Sequence, residues 1–193
     1  MKTNPKMSQT IKHAISDIYK QSGIMYIRFD AEIDIKPSGQ KKIGSKRSSV
    51  AFSKLEKQIE YTKQDGRYYS LLMGREYQPG KFAVLLDFDN KAEANSKSGL
   101  ELMAKLKMDK YNAPKQTTPS GGFHYIFYVD EKQKEFIGSP TGIMYNGDKY
   151  NMDVKFKNGL CNCFPSKIDG YGEYKWVNPI PTPRYPPAPK RAL

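Results

Sequence analysis

The sequence predicts an α+β fold, and three observations point to it. Several stretches alternate apolar and polar residues with period two, among them "IMYIRFDAEIDIK" from Ile24 and "YNMDVKF" from Tyr150. Other segments carry apolar residues at helical spacing, such as Ile11, Ala14, Ile15 and Ile18. Gly- and Pro-rich turns separate these stretches, and no internal repeat is present. With 193 residues, of which 38% are hydrophobic and 12% aromatic, the chain is long enough to bury a core without disulfide staples.

The first predicted helix starts at Ser8, which can cap it, and ends at Gly23. The strand from Ile24 follows, with Met25, Ile27, Phe29, Ala31, Ile33 and Ile35 on one face. Asp30, Glu32 and Asp34 fill its polar half, as on a solvent-facing strand. Residues 36–47 ("KPSGQKKIGSKR") read as a mobile basic loop, either plain solvated surface or a phosphate-contacting segment. "SKLE" at Ser53 to Glu56 has capping-box spacing and opens a second helix through Leu55 and Ile59. "RYYSLLM" and "KFAVLLDFD" read as strands on either side of a turn between Gly74 and Gly80. A third helix is expected over Ala92 to Lys107 despite Gly99. Further strands are expected near Lys115 to Thr118, Phe123 to Val129, Tyr150 to Phe156, Leu160 to Phe164 and Glu173 to Val177. "NPIPTPRYPPAPKRAL" at the C-terminus holds six of the 13 prolines and reads as an extended linker.

Charge narrows the function. Lys plus Arg is 32 and Asp plus Glu is 20, a formal net charge of +12, which suits a polyanionic partner. Lys41, Lys42, Lys46 and Arg47 are the candidate nucleic-acid contacts. The two cysteines, Cys161 and Cys163, are too few for a disulfide framework and read as reduced thiols; a metal site would need His124 or His13 in addition. No long apolar run or secretory pattern is present, so a soluble intracellular protein without membrane contact is expected, in the host cytoplasm if the source is a virus or plasmid.

The chemistry concentrates in three places. Asp87 and Asp89 end an apolar strand and share a face with Leu85. Such carboxylates repel unless a cation lies between them, and Mg²⁺ characteristically takes one or two carboxylates plus substrate phosphates. D-x-D alone is weak evidence for such a site, and a solvent-exposed pair at a strand end is the commoner reading. Asp153 sits on a strand with Met152, Val154 and Phe156 behind it; beside the Asp87 strand it would complete three carboxylates, enough for two divalent ions. Lys155 shares its face and could meet a triphosphate. In "PSGGFHYIF", Ser120, Gly121 and Gly122 form a turn whose backbone N–H groups can approach a phosphate, and His124 projects opposite Phe123, Tyr125 and Phe127. A hairpin turn and a structural histidine are the plain alternatives.

In chain order these are D-F-D, then S-G-G-F-H, then an apolar-flanked D-V-K, followed by "CNCFPSKIDGYGEYKW". The order resembles the archaeo-eukaryotic primase superfamily, specifically the primase-polymerase domain at the front of viral, phage and plasmid replication proteins. Its D-x-D, small-x-His and hydrophobic-Asp motifs correspond to Asp87 and Asp89, Gly122 and His124, and Met152 and Asp153; Pro165-Ser166, Gly170 and Tyr174 to Trp176 resemble its P-S…G…Y-x-W ending. The resemblance spans roughly Phe82 to Val177.

It implies an RRM-like catalytic sheet joined to an N-terminal α/β lobe, with a catalytic domain over 1–177 (lobe about 1–80, motif-bearing core about 81–177) and a linker over 178–193. It also implies a DNA primase/polymerase. Asp87, Asp89 and Asp153 would be the catalytic metal ligands for Mg²⁺ or Mn²⁺, and Ser120, Gly121, Gly122, His124 and Lys155 would hold the NTP or dNTP. A single-stranded DNA template would be the partner, with a helicase or other replication module beyond the linker. Two other classes fit parts of the pattern: a basic single-stranded nucleic-acid-binding module whose acids are structural, and a D-x-D phosphatase, which Asn90-Lys91 after the acids disfavour.

Overall fold

The computed structural model describes residues 23–24, 26–44, 67–157 and 159–179. The predicted helices from Ser8 and Ser53 lie outside the described residues, as do His13, Lys46, Arg47 and most of the proline tract. Within them the chain is mostly β with few helices, compatible with the α+β class. The strands are β1 (Tyr26–Phe29), β2 (Ile33–Ile35), β3 (Lys41–Ile43), β4 (Tyr68–Leu72), β5 (Glu76–Gln78), β6 (Lys81–Phe88) and β7 (Lys115–Thr117). After them come β8 (Phe123–Asp130), β9 (Thr141–Tyr145), β10 (Asp148–Lys155), β11 (Leu160–Cys163), β12 (Lys167–Ile168), β13 (Gly172–Glu173) and β14 (Lys175–Asn178). Two short helices, α1 (Gly99–Lys105) and α2 (Glu131–Lys134), interrupt them, with a 3-10 turn at Met108–Lys110.

The central sheet runs β14-β7-β8-β6-β10-β9, with β5 paired to the start of β6, and its pairings are antiparallel. Alternation along β6 sorts side chains to two faces. Phe82, Val84, Leu86 and Phe88 join Tyr125, Phe127, Met152 and Val154 in a core that Leu102 of α1 covers. Ala83, Leu85 and Ile126 face the other way, onto Tyr69, Leu71, Cys161 and Cys163 of a smaller sheet ordered β1-β4-β11. Buried on both faces, β4 is apolar nearly throughout, and Ser70, its one polar residue, donates to Asn162 Oδ1 at 2.6 Å. Both cysteines are buried and free.

Four expectations change. The continuous strand from Ile24 breaks after Phe29: Tyr26, Ile27 and Phe29 are all buried in the smaller sheet, and the acidic half leaves it at Asp30, whose carboxylate accepts from Arg67. The basic segment 36–47 is partly structured, because β3 pairs with β2 and plants Ile43 in a core at 1% exposure. The helix over 92–107 shrinks to α1. Glu93 bridges Ser96 and Lys97 bridges Tyr150, and Ser98 accepts from Leu100 N–H, so Gly99 opens the helix rather than interrupting it. Finally, β5 and β9 are strands that the sequence reading left out.

Candidate active site

Register places the motif residues in one line. Across the central sheet, Trp176 pairs with Gln116, Gln116 with His124, His124 with Asp87, Asp87 with Asp153, and Asp153 with Thr141. Asp87 therefore has His124 on one side and Asp153 on the other, each directly opposite. Directly opposed Cβ atoms lie about 4.5–5.5 Å apart, so residues distant in the sequence meet without any loop having to close. All three project from the face opposite α1, near where the two sheets meet.

The contacts follow. His124 Nε2 lies 3.2 Å from Asp87 Oδ1. Lys155 Nζ donates to Asp153 Oδ2 at 2.7 Å and lies 3.9 Å from Asp87 Oδ2. Asp153 Oδ1 accepts from Gly142 N–H at 3.1 Å, which fixes its orientation. Burial raises the Asp87 pKa, but His124, Lys155 and Lys91 outweigh it and hold the carboxyl below its ordinary range. Asp89 is in the reverse position: burial and then the charges of Asp87 and Asp153 raise its pKa. Burial lowers the Lys155 pKa, yet Asp87 and Asp153 lift it above its ordinary value. For His124, burial disfavours a charge, while the Cys161 sulfur and the Asp87 carboxylate favour one.

These residues line a cavity of about 270 Å³. Asp87, Asp89, Asp153, His124 and Lys155 form its floor; Thr118, Pro119 and Ser120 form one wall. Lys36, Gln40, Lys41 and Lys42, from the β2–β3 hairpin, form another. Gly121 and Gly122 do not line it. Their N–H groups donate within the turn, Gly121 to Thr118 O and Gly122 to Thr118 Oγ1, both at 3.0 Å. A Cβ on Gly122 would sit 2.5 Å from Phe88 O, so this glycine lets the turn pack against the end of β6. The turn thereby carries Ser120 to the cavity, while its glycine N–H groups are engaged inside it.

Among the described residues, no three His, Cys, Asp or Glu groups stand pre-gathered at metal-holding distance. The donor set nonetheless fits a hard divalent cation. It offers carboxylate oxygens; one of them, Asp89, is strained by its like-charged neighbours; and the Lys155 ammonium already occupies a cation's place between Asp87 and Asp153.

Three more residues surround His124: the sequence singles out Tyr174 and Cys161 without assigning them to this site, and gives no sign of Gln116. Gln116 is fully buried, with its amide on His124 Nδ1 at 2.7 Å. Tyr174 places its ring 5.8 Å from the imidazole. Cys161 Sγ lies 3.3 Å from His124 Nδ1. Strand register brings Gln116 there, and no local pattern in "KQT" announces it.

The family model described as "Bifunctional DNA primase/polymerase, N-terminal" matches residues 38–190. Comparison with curated proteins returns no match.

Proposed function

The chain belongs to the Prim-Pol family of bifunctional DNA primase/polymerase N-terminal domains, and from that premise we propose that its cavity performs template-directed nucleotidyl transfer by a two-metal mechanism. The observation that carries this reading is the convergence of Asp87, Asp89 and Asp153 with His124 and Lys155 in one cavity. The helix-backed sheet that holds them is the RRM-like catalytic sheet. On this reading residues 1–177 make up the catalytic domain, with a lobe over about 1–80 and the motif-bearing core over about 81–177. Residues 178–193 lead to a helicase or other replication module.

Asp87, Asp89 and Asp153 would hold Mg²⁺ or Mn²⁺. Bound there, two such ions would neutralise charge at the reacting phosphate and favour ionisation of the attacking 3′-hydroxyl. The chain's own groups position the reactants. Ser120 and the His124 Nε2–H donate toward the triphosphate of the incoming NTP or dNTP. Lys155 stands where it can leave the carboxylates for phosphate oxygens. Gly121 and Gly122 contribute by shaping the turn that presents Ser120. Lys41 and Lys42, on the cavity wall, meet the single-stranded DNA template, with Lys46 and Arg47 continuing that basic segment. Soluble, intracellular action fits this role, and no described helix is long and apolar enough to cross a membrane.

The test is incorporation of labelled NTPs or dNTPs on a single-stranded template with Mg²⁺ or Mn²⁺, with and without a primer. Extension that disappears in an Asp87→Ala, Asp89→Ala variant supports the reading. Unimpaired extension by that variant, or phosphomonoester hydrolysis in place of extension, overturns it.

A further inference from the structure

Gln116 is 0% exposed, and hydrogen bonds engage both ends of its amide. Its Oε1 accepts from the backbone N–H of Phe164 at 3.1 Å. Its Nε2 reaches the backbone carbonyl of Asn162 at 3.2 Å and the His124 Nδ1 at 2.7 Å. An amide carries two N–H hydrogens and one carbonyl oxygen, and these contacts use all of them.

The two backbone partners decide which way the amide points. A backbone N–H only donates and a backbone carbonyl only accepts. Turning the amide over would set its oxygen against the Asn162 oxygen and its hydrogens against the Phe164 N–H. Both contacts would become repulsive inside a dry core, where unmatched polar groups are costly. The –NH₂ therefore faces His124. Nδ1 must then be an acceptor, without a hydrogen of its own, and the ring's hydrogen belongs on Nε2, which faces Asp87. Asp87 and the Cys161 sulfur, which lies 3.3 Å from Nδ1, both favour a second ring hydrogen, but its only place is on Nδ1, where the Gln116 amide hydrogen already points at the closer distance of 2.7 Å.

We propose that Gln116 is a positioning residue that fixes His124 in the neutral Nε2–H tautomer, so that the imidazole presents one directed donor to Asp87 and to the nucleotide phosphates. Asn162 and Phe164, on and just after β11, set the direction of the amide, so the smaller sheet dictates a hydrogen position in the larger one. The phosphate half of the proposal rests on the polymerase reading; the tautomer half does not.

The test separates the halves. In a His13→Ala background His124 is the sole histidine of the chain. Nitrogen-15 spectra of that metal-free protein at neutral pH should show an unprotonated Nδ1 and a protonated Nε2. Gln116→Met keeps the bulk of the side chain and removes its directed donor. Its spectra should show the single tautomer lost, and its nucleotide KM should rise about tenfold with template affinity unchanged. A wild-type ring protonated at Nδ1, or a Gln116→Met ring identical to wild type, overturns the proposal. The first measurement needs no variant at Gln116, so a poorly folded Gln116→Met protein leaves it open to refutation. The predicted spectra in a protein without polymerase activity would support the tautomer assignment and overturn the phosphate half with the polymerase reading.

Discussion

Asp87 and Asp89 are two residues apart, yet their electrostatic positions are opposite. Asp87 is compensated by His124 and Lys155, whereas Asp89 chiefly meets burial and the charges of Asp87 and Asp153. A simple repulsion argument treats the three acids alike; the geometry separates them. Asp89→Asn should raise Tm by a few degrees at pH 7 in metal-free buffer. Because the folded state holds the Asp89 proton to higher pH than the unfolded state, stability falls as pH rises through that window. The gain should therefore be full at neutral pH and fade as pH drops toward about 4, where the unfolded carboxyl also protonates. Asp87→Ala should lower Tm instead, costing about 1–3 kcal/mol by leaving a buried imidazole N–H without its acceptor. Thermal melts of both variants across pH check this; parallel shifts would mean that the pair is not split. Removing Lys155 bears on the same balance. Lys155→Met should destabilise the metal-free protein and enlarge the Tm increase that added Mn²⁺ produces, because the ion then has no resident cation to displace.

At the scale of elements, Gly99 ties α1 to the site. Its N–H donates to Asp89 O at 2.9 Å, and Asp89 N–H donates to Asn151 O at 3.0 Å. A Cβ on Gly99 would stand 2.2 Å from Asn151 O and 2.7 Å from Asp89 N, both backbone atoms that cannot swing aside. Gly99→Ala should therefore cost about 1–3 kcal/mol and weaken incorporation beyond its loss of folded protein, since it pushes on the Asp89 backbone. Activity normalised to folded protein, at wild-type level, would show that α1 only packs. The same glycine shows what the sequence conveys. The apolar runs "KFAVLLDFD" and "FHYIF" and the period-two pattern of "YNMDVKF" place Asp87, His124 and Asp153 on strands, and the alternation of side chains along a strand gives each its face. Their order also carries the family resemblance. The rest depends on pairing. Gln116 reaches His124 only through the β7–β8 register, and Tyr26 to Phe29 disguise a strand buried on both faces as one half-exposed. Helical spacing before Ser98 gave way to two bridges that are non-local or turn-like, which periodicity does not encode.

For the whole molecule, the +12 charge is arranged as well as abundant. The β2–β3 hairpin brings Lys36, Lys41 and Lys42 to the same cavity as the three acids, so a set of cations and a set of carboxylates share one opening. Two uses of these lysines are physically distinct. A template phosphate neutralised by a lysine releases counterions, so affinity for single-stranded DNA falls with salt at a log–log slope of about −0.7 per contact. A lysine on the incoming triphosphate leaves that slope alone and changes the nucleotide KM. Lys41→Gln together with Lys42→Gln should flatten the single-stranded DNA salt slope by about 1.4, two contacts at about 0.7 each, with a nucleotide KM within about twofold of wild type. The measurement is DNA affinity over a salt series in the absence of nucleotide, paired with steady-state extension at saturating template. An unchanged slope with a raised KM would move both lysines from the template to the triphosphate. An unchanged slope and an unchanged KM would make the hairpin a solvated wall. Lys36 is the internal comparison, because it lines the cavity from the start of the hairpin turn rather than from β3. If the hairpin tracks a strand along its length, Lys36→Gln should flatten the slope further and additively, since each lost contact removes its own share of counterion release.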